Sequence, residues 1–154
     1  MDEKLLSCAQ QAARFIVRHH AQACEWPNVV EWCAWYISNS LMAALHDENG
    51  EIVALIAGRP VNDPLDGNIP YKHDKGGKCI FIDFLAIEPK YSRAVYPSFV
   101  ALCLDRFGDR EQVAYQRVAT HDYQLFLRNM GRQKQIGVTS YGTTIEYLRQ
   151  SRRT

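Results

Sequence analysis

Apolar residues recur at helical spacing near the beginning of the chain. They are Leu5, Cys8, Ala9, Ala12, Ile16 and His19. Residues three and four apart share one face of a helix, so the pattern predicts an amphipathic helix within the first twenty residues. Pro27 suits the first turn of a second helix, which Asn39 and Ser40 end. The apolar stripe of that helix is Val29, Trp32, Cys33 and Tyr36.

The pattern changes from helical to strand-like after residue 40. Residues 41–46 and 52–57 are short apolar runs separated by Asp47-Glu48-Asn49-Gly50, which is typical of a hairpin turn. We therefore expect an antiparallel pair of strands. Residues 58–78 are rich in Pro, Gly, Asn and Asp, and we expect a long connection that lies over a site or a sheet edge.

Residues 79–87 are apolar at every position except Asp83, as in a central strand that is covered on both faces. A helix is predicted after Glu88-Pro89 and is expected to end at Gly108. Residues 113–119 are predicted to form another strand.

The end of the chain is predicted to hold one more helix and one more strand. Thr120 is suited to cap the helix, which carries Leu125, Phe126 and Met130 and ends at Gly131. Residues 141–148 are rich in Thr and aromatic residues and predict the last strand, before a polar tail over 150–154.

These elements give the order ααββ-βαβαβ. The predicted fold class is α/β (α+β), with a mixed central sheet flanked by about four helices. A chain of 154 residues is long enough for one core. We expect a single domain over residues 1–149, followed by the tail.

Composition and charge narrow the class of protein. Apolar residues make up 47% of the chain and charged residues 23%, as in globular proteins. The net charge of +1 does not imply a nucleic-acid partner, and no apolar run is long enough to span a membrane. Met1-Asp2-Glu3-Lys4 lacks the features of a secretory signal, so a cytoplasmic location is expected.

The five cysteines are widely spaced and form no CxxC pair. They are Cys8, Cys24, Cys33, Cys79 and Cys103. We expect buried, reduced thiols and no metal site. Neighbouring residues of a helix point about 100° apart, so His19 and His20 cannot face one metal ion together.

Two segments resemble the GNAT superfamily of acyl-CoA-dependent N-acyltransferases. Leu85-Ala86-Ile87-Glu88-Pro89-Lys90-Tyr91 is similar to the family's strand end before the cofactor loop. Phe126-Leu127-Arg128-Asn129-Met130-Gly131 is similar to the end of its last helix. The resemblance implies two splayed strands, with the pantetheine arm of acetyl-CoA or another acyl-CoA beside Leu85, Ala86 and Ile87. It implies that the pyrophosphate binds backbone N–H groups at the following helix N-terminus.

The donor loop departs from the family pattern. The family has Arg/Gln-x-x-Gly-x-Gly/Ala, whereas this chain has Ser92-Arg93-Ala94-Val95-Tyr96-Pro97, without glycine. Two interpretations are open. Either Arg93 replaces the lost backbone contacts by binding phosphate, or Pro97 occupies a first helical turn and Arg93 is a solvated charge.

Acyl transfer to an amine needs a base and an acid. Asp83 or Glu88 is the candidate base, and Tyr123 or His121 is the candidate acid, since the family's usual Tyr position holds Phe126 or Leu127. The alternative for Asp83 is a buried carboxylate paired with Arg or Lys. The alternative for Tyr123 is a packing residue without a catalytic role. The same alternative applies to an aromatic cluster near the start of the chain, which is expected to pack in the core rather than to bind a ligand and consists of Trp26, Trp32, Trp35 and Tyr36.

Three functions are therefore considered. The first is a divergent GNAT-fold protein with lost or weakened acetyltransferase activity and a binding or assembly role, which needs no cofactor if it is inactive. The second is an active N-acyltransferase that acylates a small amine or a protein amine. The third is a small oligomeric partner-binding protein of a phage or mobile element.

Overall fold

The computed structural model describes residues 1–20, 28–107, 112–118, 122–129 and 145–151, and from residue 115 onward it describes the backbone alone. Helices and strands within these ranges are α1 Glu3–His19, α2 Val29–Ser38, β1 Met42–His46, β2 Ile52–Val61, β3 Cys79–Ile87, α3 Ser92–Phe107, β4 Gln112–Val118, β5 Asp122–Asn129 and β6 Ile145–Ser151. In the described part of the chain no helix has the length and apolar character needed to cross a membrane.

The chain divides into two compact units. Unit 1 comprises Met1–Ala57 and Phe84–Phe99, and unit 2 comprises Gly58–Asp83 and Val100–Thr154. Strands β2 and β3 each contribute residues to both units.

The two predicted N-terminal helices form, and they pack on one another in unit 1. Helix α2 begins at Val29, and Pro27, which was expected in its first turn, lies outside the described residues. The carboxylate of Asp2 accepts a hydrogen bond from the backbone N–H of Leu5 at 2.8 Å, which caps α1. The buried face of α1 is made of Ala9, Ala12, Ala13, Phe15 and Ile16. Small alanine side chains allow close packing, and α2 buries Cys33, Ala34 and Tyr36.

The predicted hairpin is also confirmed. Strands β1 and β2 are antiparallel, with Met42 opposite Ala57. The Asp47 carboxylate accepts from the backbone N–H groups of Asn49 and Glu51, at 2.8 and 3.0 Å. Gly50 has a φ of 80°, a conformation that glycine adopts without steric cost. The turn residues therefore fix the register of this pair.

One mixed sheet contains the strands in the order β1-β2-β3-β4-β5-β6. Strands β3 and β4 run parallel, and α3 is the crossover between them in sequence. Strands β4, β5 and β6 form successive antiparallel pairs. A mixed α+β fold with ααβββαβββ order is thus established, and the predicted fold class is confirmed at that level.

The predicted fourth helix is wrong. The segment that carries Leu125 and Phe126 is strand β5, whose residues pair with β4 on one side and β6 on the other. Backbone pairing on both edges outweighs a helical spacing of only a few apolar residues. The similarity of residues 126–129 to the end of the GNAT family's last helix is therefore not matched by the structure. Thr120, Met130 and Gly131 lie outside the described residues.

The last strand lies later in the chain than expected. Strand β6 runs from Ile145 to Ser151, so Gln150 and Ser151 pair with β5 rather than beginning a polar tail. Residues 141–144, where the strand was expected to begin, lie outside the described residues. The consecutive polar residues Arg149, Gln150 and Ser151 suggested a tail, but pairing with β5 extends the strand through them.

Strand β2 is longer than predicted and is buried along its whole length to Val61. The residues Gly58, Arg59 and Pro60 suggested the beginning of a loop, but they belong to the strand. A short 3-10 helix, Pro64–Asn68, follows. A Cβ on Gly67 would lie 2.2 Å from the Phe81 ring, so only glycine allows this turn to pack there.

Burial along β3 is uneven. Its first three residues are buried, and Cys79 and Phe81 form a core cluster of unit 2 with Val61 and Ala114. Leu85, near its other end, is 44% exposed. The expectation of a strand covered on both faces therefore holds only for the first part of β3.

The expectation that all the cysteines are buried is wrong for Cys8. Its side chain is exposed on α1, whereas Cys33, Cys79 and Cys103 are buried, and Cys24 lies outside the described residues. Burial raises the pKa of the Cys33 and Cys79 thiols to about 12, with the negative charge of Asp63 contributing at Cys79.

We expect iodoacetamide at pH 8 to alkylate Cys8 in the folded protein and to leave Cys33 and Cys79 unmodified. The thiolate is the reactive species, and a thiol with a pKa of about 12 is almost fully protonated at this pH. Peptide mass spectrometry after timed labelling measures each site, and a sample unfolded in urea is the control. Equal labelling rates for Cys8 and Cys33 in the folded protein would contradict this assignment.

Candidate functional site

The residues predicted to bind the donor lie around the turn between β3 and α3, in unit 1. Leu85, Ala86 and Ile87 are the last three residues of β3, and Leu85 is exposed. The first turn of α3 contains Ser92, Arg93, Ala94 and Val95, of which all but Val95 are exposed. The turn therefore presents an apolar strand end and a cationic helix start.

Backbone hydrogen bonds within this turn already use two amides of interest. Pro89–Tyr91 forms a 3-10 turn that leads directly into α3. The N–H of Tyr91 donates to the carbonyl of Glu88 at 2.9 Å, and the N–H of Ser92 donates to the carbonyl of Pro89. A phosphate bound at a helix N-terminus needs N–H groups that have no such partner. These two amides do not meet that need.

Pro97 lies inside α3, which corrects the interpretation that it begins a helix. The helix begins at Ser92 because the preceding 3-10 turn, with Pro89 at its start, initiates it. Proline has no N–H, so Pro97 cannot donate to the carbonyl of Arg93 four residues earlier. The Arg93 side chain is exposed, and its role in phosphate binding stays a prediction.

Glu88 follows β3 and contacts two basic residues at the end of α1. Its backbone N–H donates to the carbonyl of Val53 at 2.7 Å, which fixes the residue beside β2. The carboxylate oxygen Oε2 accepts from Arg18 Nη2 at 2.8 Å and lies 3.0 Å from His19 Nε2. The side chains of His19 and Glu88 are 14% and 26% exposed.

Phe15 holds the His19 ring in place. The two ring centroids are 4.3 Å apart, and Phe15 also contacts Phe84 of β3, edge to face, at 6.4 Å. The Arg18 guanidinium lies 5.4 Å from the Phe15 ring centroid. The sequence placed His19 only on an apolar helix face. No local signal connects residues 69 positions apart, so the contact with Glu88 could not be predicted.

Asp83, the other candidate base, is paired with Arg59 in unit 2. Its Oδ2 accepts from Nε of Arg59 and its Oδ1 from Nη2, both at 2.8 Å. Arg59 is 2% exposed. The alternative expectation of a carboxylate paired with Arg is therefore what the structure shows. Because both oxygens accept from one guanidinium, Asp83 is less available than Glu88 to take a proton from a substrate.

The remaining donors of Arg59 hold the loop after β2. Nη1 donates to the carbonyls of Ile69 and Lys72, at 2.7 and 3.0 Å, and Nη2 donates to Gly67 at 2.8 Å. The guanidinium also lies 5.7 Å from the centroid of the Phe81 ring. All five N–H donors of the side chain thus have acceptors, which makes burial of the charge possible.

We expect Asp83→Ala to lower the free energy of unfolding by about 3–5 kcal/mol, because it leaves the buried Arg59 charge without its counter-ion. Urea denaturation monitored by circular dichroism measures the change. Lys72→Ala is the matched control: it removes the more exposed contact with Asp66 and keeps the backbone carbonyl that Arg59 uses. Its expected cost is at most about 1 kcal/mol. Equal effects of the two substitutions would show that Arg59 does not depend on Asp83.

The candidate acids were predicted on a helix that does not form. Tyr123 lies in β5, opposite Val118 of β4 and Gln150 of β6. His121 lies outside the described residues. Their proposed chemistry stays a prediction. Among the residues with described surroundings, no three His, Cys, Asp or Glu side chains cluster as metal ligands would.

Comparisons with known proteins give one distant match. No family model matches the chain, and no curated protein matches it in sequence. Among solved structures it is similar to a GphF GNAT-like decarboxylase in complex with isobutyryl-CoA, at 16% identity and a TM-score of 0.48. The alignment covers 73% of this chain and 62% of that one.

Proposed function

We propose that this chain is a divergent N-acyltransferase of GNAT type whose binding of acyl-CoA, and hence acetyl transfer to an amine, is weakened. The observation that carries the proposal is the turn between β3 and α3. It keeps an exposed Leu85 and a carboxylate in Glu88, but it has no glycine, and its Tyr91 and Ser92 amides already have acceptors.

The apolar end of β3 supports contact with the acyl-pantetheine part of the donor. An exposed leucine on a strand is suited to pack against an apolar ligand, since it loses contact with water on binding. Ala86 and Ile87 continue this surface and are half-buried. Acetyl-CoA or a longer acyl-CoA is the donor that this surface fits.

The pyrophosphate of the donor is the part that this chain binds weakly in our proposal. Hydrogen bonds to charged groups contribute about 1.5–3 kcal/mol each, so the absence of two such amide contacts lowers affinity by about a hundredfold or more. Arg93 is exposed at the start of α3, where its guanidinium can meet phosphate bidentately and offset part of this loss.

For the acyl-transfer step we assign the base to Glu88 or a residue in contact with it, rather than to Asp83. Both oxygens of Asp83 accept hydrogen bonds from Arg59. No acid is assigned here, and the roles of Tyr123 and His121 stay predictions. The acceptor is a small amine or a protein amine.

Isothermal calorimetry with acetyl-CoA is expected to give a Kd in the range of about 0.1–1 mM, and thermal stabilisation should appear only near millimolar ligand. Arg93→Gln should weaken binding roughly tenfold because it removes a charge-assisted phosphate contact. Arg14→Gln is the control, since it removes an exposed cation of α1 in the same unit.

A Kd below about 1 μM would overturn the weakened-donor proposal. Absence of both binding at 1 mM and thiol release with a panel of amines would overturn the acyltransferase proposal and leave a binding or assembly role.

A binding or assembly role is the second candidate, and exposed apolar side chains favour it. Leu85 and Tyr96 are 44% and 41% exposed in unit 1. The tryptophans of α2 support it less, because Trp32 and Trp35 are half-buried and contact Tyr36. Trp26 lies outside the described residues.

If the chain self-associates through this apolar surface, light scattering after size exclusion will give a mass above the 17.7 kDa of one chain. Tyr96→Glu should then restore the monomer, because a charge is costly in an apolar interface. Leu6→Glu is the control, since it changes an exposed leucine of α1. A wild-type monomer at all concentrations up to about 100 μM would count against self-association.

A further inference from the structure

We propose that His19 is the proton acceptor of the site and that Glu88 orients it, with Nδ1 of the imidazole as the atom that takes the proton. The pair is a carboxylate and a histidine from α1 and the end of β3, 3.0 Å apart. The substrate class rests on the proposed acyltransferase function, whereas the chemistry of the pair rests on its geometry alone.

The contact with Glu88 decides the tautomer of the neutral ring. An ionised carboxylate only accepts hydrogen bonds, so the His19 nitrogen facing it must carry the hydrogen. That nitrogen is Nε2, and in the neutral imidazole the lone pair is then on Nδ1. In the part of the chain with described side chains, Nδ1 has no hydrogen-bond partner.

The surroundings of the ring hold it in one orientation. Phe15 covers one side of it, at a centroid distance of 4.3 Å, and Glu88 holds its Nε2 edge. The side chain nevertheless keeps 14% of its surface exposed. A ring that is fixed at one edge and contacted on one side by a tilted phenyl ring can present its remaining edge to a ligand.

Glu88 itself is less suited to accept the proton. Its Oε2 receives hydrogen bonds from both Arg18 and His19, at 2.8 and 3.0 Å. Two donors on one oxygen disperse the negative charge that would attract a proton. The same carboxylate stabilises an imidazolium formed on His19, as an orienting carboxylate does in a catalytic triad.

In this reaction the proton of the amine ends on the sulfur of CoA. An amine nitrogen attacks the acyl carbonyl carbon, its proton passes to Nδ1 of His19, and the new C–N bond forms. The C–S bond breaks with its electron pair leaving on sulfur. The imidazolium returns the proton to the thiolate, directly or through water, so that acyl-CoA and amine become amide and CoA thiol.

The first arm of the test needs no acyl-CoA. Diethyl pyrocarbonate reacts with an unprotonated imidazole nitrogen, and fragment mass spectrometry resolves each histidine. We expect His19 of the folded protein to react at pH 7 at least as fast as His46, which is exposed on β1. Glu88→Gln should slow the His19 reaction several-fold, because a neutral amide supports the developing positive charge less well. His46→Gln should leave the His19 rate unchanged.

The second arm measures turnover as thiol release from acetyl-CoA with benzylamine. His19→Gln should lower kcat by about 10²–10⁴-fold, the range for loss of a general base, and leave the Kd for acetyl-CoA unchanged. Arg18 and Glu88 are the charged groups that contact this region among the described side chains. His46→Gln should turn over as the wild type does.

The two arms separate failure of the pair from failure of the function. An unreactive His19 in the folded wild type, or a rate unaffected by Glu88→Gln, overturns the pair even if thiol is released. Normal turnover in His19→Gln also overturns it. Expected labelling, with neither acetyl-CoA binding at 1 mM nor thiol release across a panel of amines, supports the pair and overturns the acyltransferase function. A thermal melt of His19→Gln and His19→Asn establishes that the variants are folded.

Discussion

The buried guanidinium of Arg59 is the constraint on which much of unit 2 depends. A charge that is 2% exposed is tolerated only with a counter-ion and with acceptors for its remaining donors. Asp83 supplies the counter-ion, and the carbonyls of Gly67, Ile69 and Lys72 supply the acceptors. The loop after β2 is therefore held against the strand that carries its cation. The same bonds also make Asp83 a structural carboxylate.

The pairing of Asp83 with Arg59 makes Glu88 the better candidate for acid–base chemistry. Asp83 and Glu88 are equivalent candidates in the sequence, but their surroundings differ. Arg59 engages both oxygens of Asp83, whereas Glu88 shares a single oxygen between Arg18 and His19 and remains 26% exposed. A carboxylate beside an imidazole can orient that ring and stabilise its charge. The proposed acid–base chemistry therefore depends on a pair of residues, His19 at the end of α1 and Glu88 directly after β3.

The turn before α3 limits what the site can bind. A glycine-rich loop leaves backbone N–H groups pointing at an anion, but a 3-10 turn satisfies them internally. In this chain the amides of Tyr91 and Ser92 have carbonyl acceptors, and Pro97 inside the helix has no N–H. In the function proposed above, phosphate recognition depends on side chains such as Arg93. The proposed proton transfer and the proposed weak binding of the donor are compatible in the same unit, since they depend on different groups.

Local patterns in the sequence determined the helices α1 and α2 and the hairpin at Asp47 to Gly50, and they indicated a helix after Pro89 without fixing its first residue. Helical stripes, turn residues and proline act over a few positions, so they can be interpreted one segment at a time. Tertiary structure decided the rest. Strand β5 forms where a helix was expected, because strands on both sides offer it backbone partners. Arg59 belongs to a buried strand because Asp83, 24 residues later, neutralises it. His19 meets Glu88 across 69 residues of chain. Such contacts depend on where distant elements pack, which no local spacing specifies.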